Sequence, residues 1–175
     1  LLSEAAKQSG ICEEIFEDHD EKPTRSLLFN LVTGMQVHGD AGSYYMDMPL
    51  NHKIFLAQFD AIRSIADKGP CVIIGRCGDY ILREYDNVFR VFIHANKEAR
   101  IKRILSKGLC DEKKVSDFIT KRDKQRANYY NFYSNKRWDD LSNYHLTIDS
   151  SEFDIDEVAE IIITAIGKIK PPAKK

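Results

Sequence analysis

Lys68-Gly69-Pro70-Cys71-Val72-Ile73-Ile74-Gly75-Arg76 is the stretch on which the fold class turns. A Lys-Gly-Pro turn leads into four apolar residues in a row, and Gly75 ends them. A short continuous apolar run between turn residues reads as a strand covered on both faces, the kind that builds parallel sheets. Working outward, residues 88–95 (VFRVFIHA) predict a second strand with Arg90 and His94 as its polar exceptions, and residues 144–149 (YHLTID) predict a third. A short helix is expected over 79–85, and a longer one over 97–107 with Asn96 as its cap. After the third strand, Asp154-Ile155-Asp156-Glu157 has capping-box character. It opens a helix in which Ile155, Val158, Ala159, Ile162, Ala165, Ile166 and Ile169 recur at helical spacing. Strand and helix thus alternate as in an α/β fold, a three-layer α/β/α arrangement around a parallel sheet.

Upstream of Lys68 the pattern is mostly helical, over residues 1–9, 13–18 and 51–67, with a loop expected over 37–49 where Gly39, Gly42, Tyr44, Tyr45 and Pro49 cluster. Residues 171–175 read as a basic tail. Three parallel strands are few for such a sheet, which usually has about five or six. The chain also opens inside a helix at Leu1. The first strands of the sheet are therefore expected upstream of Leu1.

With 175 residues, 43% of them hydrophobic and 30% charged, the composition fits one soluble domain. No run approaches about 18 uninterrupted apolar residues and no targeting segment is visible, so a cytoplasmic protein without membrane partners is expected. Cys12, Cys71, Cys77 and Cys110 form no C-x-x-C pair and are read as reduced thiols. The net charge is −1, but the interval 90–137 is much richer in lysine and arginine than its flanks. An anion-binding surface is expected there.

Two arginine motifs stand out. Gly75-Arg76 follows the first predicted strand, and open α/β sheets bind ligands at the carboxyl ends of their strands. An arginine there offers a planar fork of donors to a phosphate; the plainer reading is a surface arginine paired with Asp79, Glu84 or Asp86. Arg122 and Arg126 lie four apart in a predicted helix and so share a face. Phosphoryl transfer uses such groups, because charge spreads over the oxygens of the transferred group; a solvated face neutralised by Asp117 and Asp123 explains them equally well.

The aromatic run Tyr129-Tyr130-Asn131-Phe132-Tyr133, with Trp138 and Tyr144, is mixed with Arg126, Lys136 and Arg137. Such mixtures stack on single-stranded nucleic acid, but a helix docking its aromatic face on a core explains this one better in a chain that is not basic. No nucleic-acid partner is expected. The five histidines show no metal-ligand spacing and no protein metal site is expected; the absence of a G-x-S-x-G elbow argues against acyl transfer.

Taken together, VIIGR after the Lys-Gly-Pro turn, HANKEARIKRI, KRDKQRANYY with Trp138 downstream, and YHLTIDSSEFDIDEVAEII resemble the cytidylate kinase-like family over about residues 21–170. The resemblance implies the three-layer parallel sheet of the P-loop nucleoside monophosphate kinases. It implies ATP-dependent phosphoryl transfer, with Mg²⁺ on the donor phosphates, to a nucleoside monophosphate, most simply a cytidylate. The strand of cytidylate kinases that ends in Asp-Gly-Arg-Asp maps onto Ile74-Gly75-Arg76-Cys77; glycine and arginine are kept and both acids are replaced, which leaves cytidine selectivity open. Gly75 and Arg76, with Arg25 and Lys53 as weaker candidates, would then bind the acceptor, and Arg122 and Arg126 would be catalytic.

The same resemblance implies one kinase-like domain over 1–170, with a helical acceptor-binding and lid region at about 20–67, a phosphate lid and following helix at about 108–137, and the tail 171–175. The glycine-rich phosphate loop of such kinases does not occur in these residues: Gly39-Asp40-Ala41-Gly42-Ser43-Tyr44 lacks both a preceding apolar strand and a closing lysine. It is expected upstream of Leu1. A P-loop kinase for another small metabolite, and a catalytically degenerate nucleotide-binding module, remain as alternatives, and a homodimer is left open.

Overall fold

In a computed structural model, residues 1–10, 14–15 and 48–169 are described. They form a helix-rich α/β structure with a small parallel sheet. In chain order the elements are α1 (Leu2–Ser9), α2 (Leu50–Asp67), α3 (Gly78–Ile81), β1 (Val91–His94), α4 (Lys97–Ser106), α5 (Val115–Ser134), a 3₁₀ turn (Leu141–Asn143), β2 (Leu146–Asp149) and α6 (Ile155–Lys168). Contacts divide the chain into two compact units, one of Leu1–Ile81 with Asn128–Asn135 and one of Leu82–Ala127 with Lys136–Lys175.

The described part of the first unit is mostly helical. Ala5 of α1 and Ala61 of α2 are both fully buried, in one cluster with Ile54 and Ala57. Alanine at the contact lets two helices approach closely, and the apolar spacing of 54, 57 and 61 gives α2 the face that does so. Lys68 Nζ reaches Glu4 Oε1 at 3.3 Å beside this seam. The neighbouring face of α2 takes the aromatic end of α5. Phe55 and Tyr133 stack at 3.8 Å between centroids with 9° between planes, and the Tyr129 hydroxyl donates to Gln58 Oε1 at 3.1 Å. Tyr129 and Tyr130 are each only 5% exposed, so this aromatic run is core.

The second unit holds the sheet. β1 and β2 pair in parallel with Val91 opposite Leu146 and His94 opposite Asp149. Asn96 Oδ1 accepts from the Ala99 N–H at 2.8 Å and starts α4, as its capping chemistry predicts. Asp154 and Glu157 form a reciprocal capping box at the start of α6. Phe92 packs against Trp138 and Tyr144, with centroids 5.5 and 4.9 Å apart.

Three expectations are corrected. Residues 71–74 do not join a ladder among the described residues; Val72 is 89% and Ile74 82% exposed. An apolar run becomes a buried strand only where neighbours pair with its backbone and cover its faces, and here only Ile73 is partly covered. The expected helix 79–85 shortens to Gly78–Ile81. On α6 the apolar stripe is only partly used: Val158 is buried and Ile161, Ile162 and Ala165 half-buried, while Ile155, Ile166 and Ile169 face outward. The helix is apolar over more of its circumference than its neighbours cover. The expected helix 13–18 apart from residues 14 and 15, the loop 37–49 apart from 48 and 49, and the tail 171–175 lie outside the described residues.

Candidate functional site

In the first unit, Gly75, Arg76 and Cys77 make the turn between residues 71–74 and α3, and all three have positive φ: 70°, 53° and 55°. Glycine adopts such angles freely, but for arginine and cysteine the left-handed region is uncommon and marks a backbone held by its surroundings. Cys77 and Gly78 are buried, and a Cβ on Gly78 would stand 2.8 Å from Ile73 Cγ2, so the turn packs back on the segment before it. The segment thus delivers a half-buried Arg76 from a tight turn rather than from the end of a covered strand. Asp79, one of the carboxylates expected beside Arg76, accepts the Tyr130 hydroxyl at 2.6 Å. Lys53, half-buried in the first turns of α2, also belongs to this unit. Arg25 lies outside the described residues.

Arg122 and Arg126 belong to the second unit, both exposed on α5. The Arg122 guanidinium lies over the Phe118 ring at 5.5 Å, one turn back along the same helix. Asp123, read in the sequence as a local neutraliser of these arginines, is instead taken by Arg100 of α4. Arg100 Nη1 donates to Oδ2 at 2.7 Å and Nη2 to Oδ1 at 2.6 Å. The hydrogen bonds to Asp123 outweigh partial burial and raise the Arg100 pKa above its already high ordinary value.

At the carboxyl ends of the strands a second network ties the turns together. Ser150 is buried; its N–H and hydroxyl both donate to the His94 carbonyl, at 2.8 and 2.9 Å. Arg103 donates to the Ser150 hydroxyl at 3.1 Å and to the Ser150 carbonyl. The Ser151 hydroxyl accepts from the Asn96 N–H at 2.8 Å and donates to Asp149 Oδ1, which also receives the Ser151 N–H at 3.0 Å. These bonds hold the Asp149 carboxyl below its ordinary pKa.

At the amino ends, the Arg90 N–H donates to His145 Nδ1 at 3.1 Å and the Arg90 guanidinium lies 2.8 Å from Nε2. Burial, and then the Arg90 charge, lower the His145 pKa. The roles of Arg100, Arg103 and the serine pair were not read from sequence. One signal was present for Asp123, which continues the buried Val115–Ile119 stripe at four-residue spacing.

Among the described residues no group of three or more His, Cys, Asp or Glu side chains is gathered to hold a metal. No helix among them is long and apolar enough to cross a membrane.

The sequence model of the cytidylate kinase-like family matches residues 1–152. A cytidylate kinase of Methanosarcina barkeri is 31% identical over 106 residues, which cover 58% of this chain and 57% of that protein's length. A crystal structure of an uncharacterised protein from Eubacterium ventriosum is 31% identical with a TM-score of 0.64, over 73% of this chain and 80% of that one.

Proposed function

Because the chain belongs to the cytidylate kinase-like family, we propose that the protein transfers the γ-phosphoryl group of ATP to a nucleoside monophosphate, with a pyrimidine acceptor of the cytidylate type as the first candidate. The two-stranded parallel ladder is then part of a larger three-layer sheet of the P-loop nucleoside monophosphate kinase type. Residues 1–170 act as one kinase-like domain. Region 20–67, with Arg25 and Lys53, serves the acceptor side, and region 108–137 serves as the phosphate lid.

Each residue's part follows from its chemistry. Gly75 lets the chain turn, and Arg76 offers a planar pair of donors to the acceptor's phosphate or pyrimidine edge. Arg122 and Arg126 present two cations from adjacent turns of one helix. A transferring phosphoryl group carries its charge on three equatorial oxygens, so fixed cations stabilise it more than they stabilise the bound reactants. Lid closure would exclude water, which strengthens these contacts and prevents hydrolysis of ATP.

When bound, Mg²⁺ would supply charge neutralisation on the donor phosphates, and it would need no dedicated cage of protein carboxylates for that. The donor set on α5 fits a polyphosphate: two exposed guanidinium groups four residues apart, with the intervening Asp123 already engaged elsewhere.

The observation that carries this reading is that pair of exposed arginines on one helix of a chain from this family. The test is ADP formation by the complete protein from Mg-ATP in the presence of each nucleoside monophosphate in turn. Acceptor-dependent turnover that falls at least about a hundredfold in Arg122→Ala is expected, as for loss of a group aimed at developing charge. No acceptor-dependent ADP with any of them would end the kinase reading.

A further inference from the structure

The helix that carries Arg122 and Arg126 is held at its carboxyl end by the buried Tyr129 and Tyr130 and at its start by Val115 and Ile119; the two arginines lie on the stretch between. α4, which a side-chain pair joins to the middle of α5 in the second unit, has no buried residue. The contact between them that fixes direction is the fork of Arg100 on Asp123, both hydrogen bonds at 2.6–2.7 Å and both side chains about one third exposed. A two-bond pair between a planar guanidinium and a planar carboxylate fixes orientation as well as distance.

Asp123 prolongs the stripe of Val115 and Ile119, both buried. At about 100° per residue, Arg122 and Arg126 then lie together about 60–100° round the helix from it. Anchoring Asp123 therefore constrains where both arginines point. One turn further along α4, Arg103 binds the hydroxyl and carbonyl of Ser150 at the carboxyl end of β2. α4 is thus pinned to the sheet by one arginine and pins α5 with another.

We propose that Arg100 and Asp123 are positioning residues: their bidentate pair holds the middle of α5, between its two packed ends, and so steadies the aim of Arg122 and Arg126 at the anion they bind. The part that concerns turnover rests on the kinase reading above; the part that concerns α5 does not. Neither residue touches the reacting atoms. The pair acts through the helix.

The experiment compares wild type, Arg100→Met, Asp123→Asn and the double variant in the complete protein. Two quantities are read: kcat for phosphoryl transfer, and amide exchange over residues 115–127. Each single variant is expected to lower kcat about tenfold or more, since misaiming by about 1 Å can cost a hundredfold, while KM for the acceptor changes little. Exchange over 115–127 should quicken. The double variant should be no worse than the poorer single, because both remove the same contact, and Arg100→Lys should recover little, since it restores charge without the fork.

Losses in kcat that multiply in the double variant would overturn the proposal, as would wild-type kcat in both singles or unchanged exchange over 115–127. If the wild type shows no acceptor-dependent turnover, the kinase reading fails on its own and exchange decides the clamp. Faster exchange in the singles, with no further gain in the double variant, supports it. Unchanged exchange sinks it.

Discussion

Two stretches of this chain carry strand signatures and end differently. Residues 146–149 (LTID) pair along their length with Val91–His94, and Ile148 is 5% exposed. Residues 71–74 (CVII), the more apolar of the two, join no ladder among the described residues, and Ile74 is 82% exposed. Apolar composition is therefore not what makes a strand. A strand is a relation between backbones, and its apolar side chains are buried only by the faces its neighbours complete. The less apolar stretch is ordered by more than its residues: turns at both ends, the His145 and Ser150 contacts and the Phe92–Tyr144 packing all fix its register.

The same chemical change in both stretches should separate them most. Ile148→Ala is expected to lower unfolding free energy by about 2–4 kcal/mol, as for a buried aliphatic residue, and Ile74→Ala to stay within about 0.5 kcal/mol. Urea denaturation of the two variants measures both. Equal losses would break the comparison, because they would mean that Ile74 is covered in the protein in solution.

The one member of 71–74 that does pack gives the next largest effect. A methyl at Gly78 meets Ile73 Cγ2 at 2.8 Å. Gly78→Ala should cost about 1–3 kcal/mol, as overpacking does. The cost should shrink in an Ile73→Ala background, where the opposing methyl is gone. An undiminished cost in that background would place the strain elsewhere than against the segment.

What sequence could read follows the same division. Local chemistry was legible: the Asn96 cap, the Asp154–Glu157 box and the bounds of α2 all match their patterns to within a few residues; the parallel pairing followed from the alternation of strand and helix. Side-chain coverage and ion pairing that depend on non-local partners were not. The exposure of Val72, the outward face of α6 and the Arg100–Asp123 fork each depend on what meets a residue from far along the chain. No spacing rule encodes that for charged side chains, and for Asp123 the sequence offered only its place on the Val115–Ile119 stripe. Of the named site residues, Gly75 and Arg76 sit in the turn that the glycine announced, although the strand expected to lead into it is open.

Caps sharpen the contrast at smaller scale, since they stabilise a helix without help from distant partners. Asp154→Ala should cost about 0.5–2 kcal/mol, the range for losing a capping side chain, although α6 has only Val158 buried. Thermal unfolding of this variant beside Val158→Ala shows whether α6 is held by its cap or by its one buried contact. If Asp154→Ala is silent, local chemistry contributes less here than the partial packing does.

The smallest effect is pH-dependent and confined to the paired stretch. The His145 ring accepts the Arg90 N–H at Nδ1, which requires that nitrogen to be unprotonated, and the guanidinium lies 2.8 Å from Nε2. Burial and the Arg90 charge hold the His145 pKa below its ordinary 6.5 when folded. The folded state therefore binds fewer protons than the unfolded chain, so the contribution is complete above about pH 6.5 and is lost as pH falls through 6.5 towards the lowered value. Carboxylates such as Asp149, whose pKa is lowered, lose their contribution only in a more acidic window, below the ordinary value of 3.8. His52, lowered by burial in the other unit, adds a loss of the same sign to global stability, so the measurement has to be local. Because His145 is largely exposed, its effect should be smaller than that of the cap. Once corrected for the intrinsic pH dependence of exchange, amide protection across β1 and β2 should weaken between pH 7 and pH 5.5, and His145→Asn should flatten that dependence. The amides of residues 71–74, outside any ladder among the described residues, should show no matching change. Equal pH responses in the two stretches would mean that they share one cooperative unit, and the difference between them would then lie in coverage alone and not in pairing.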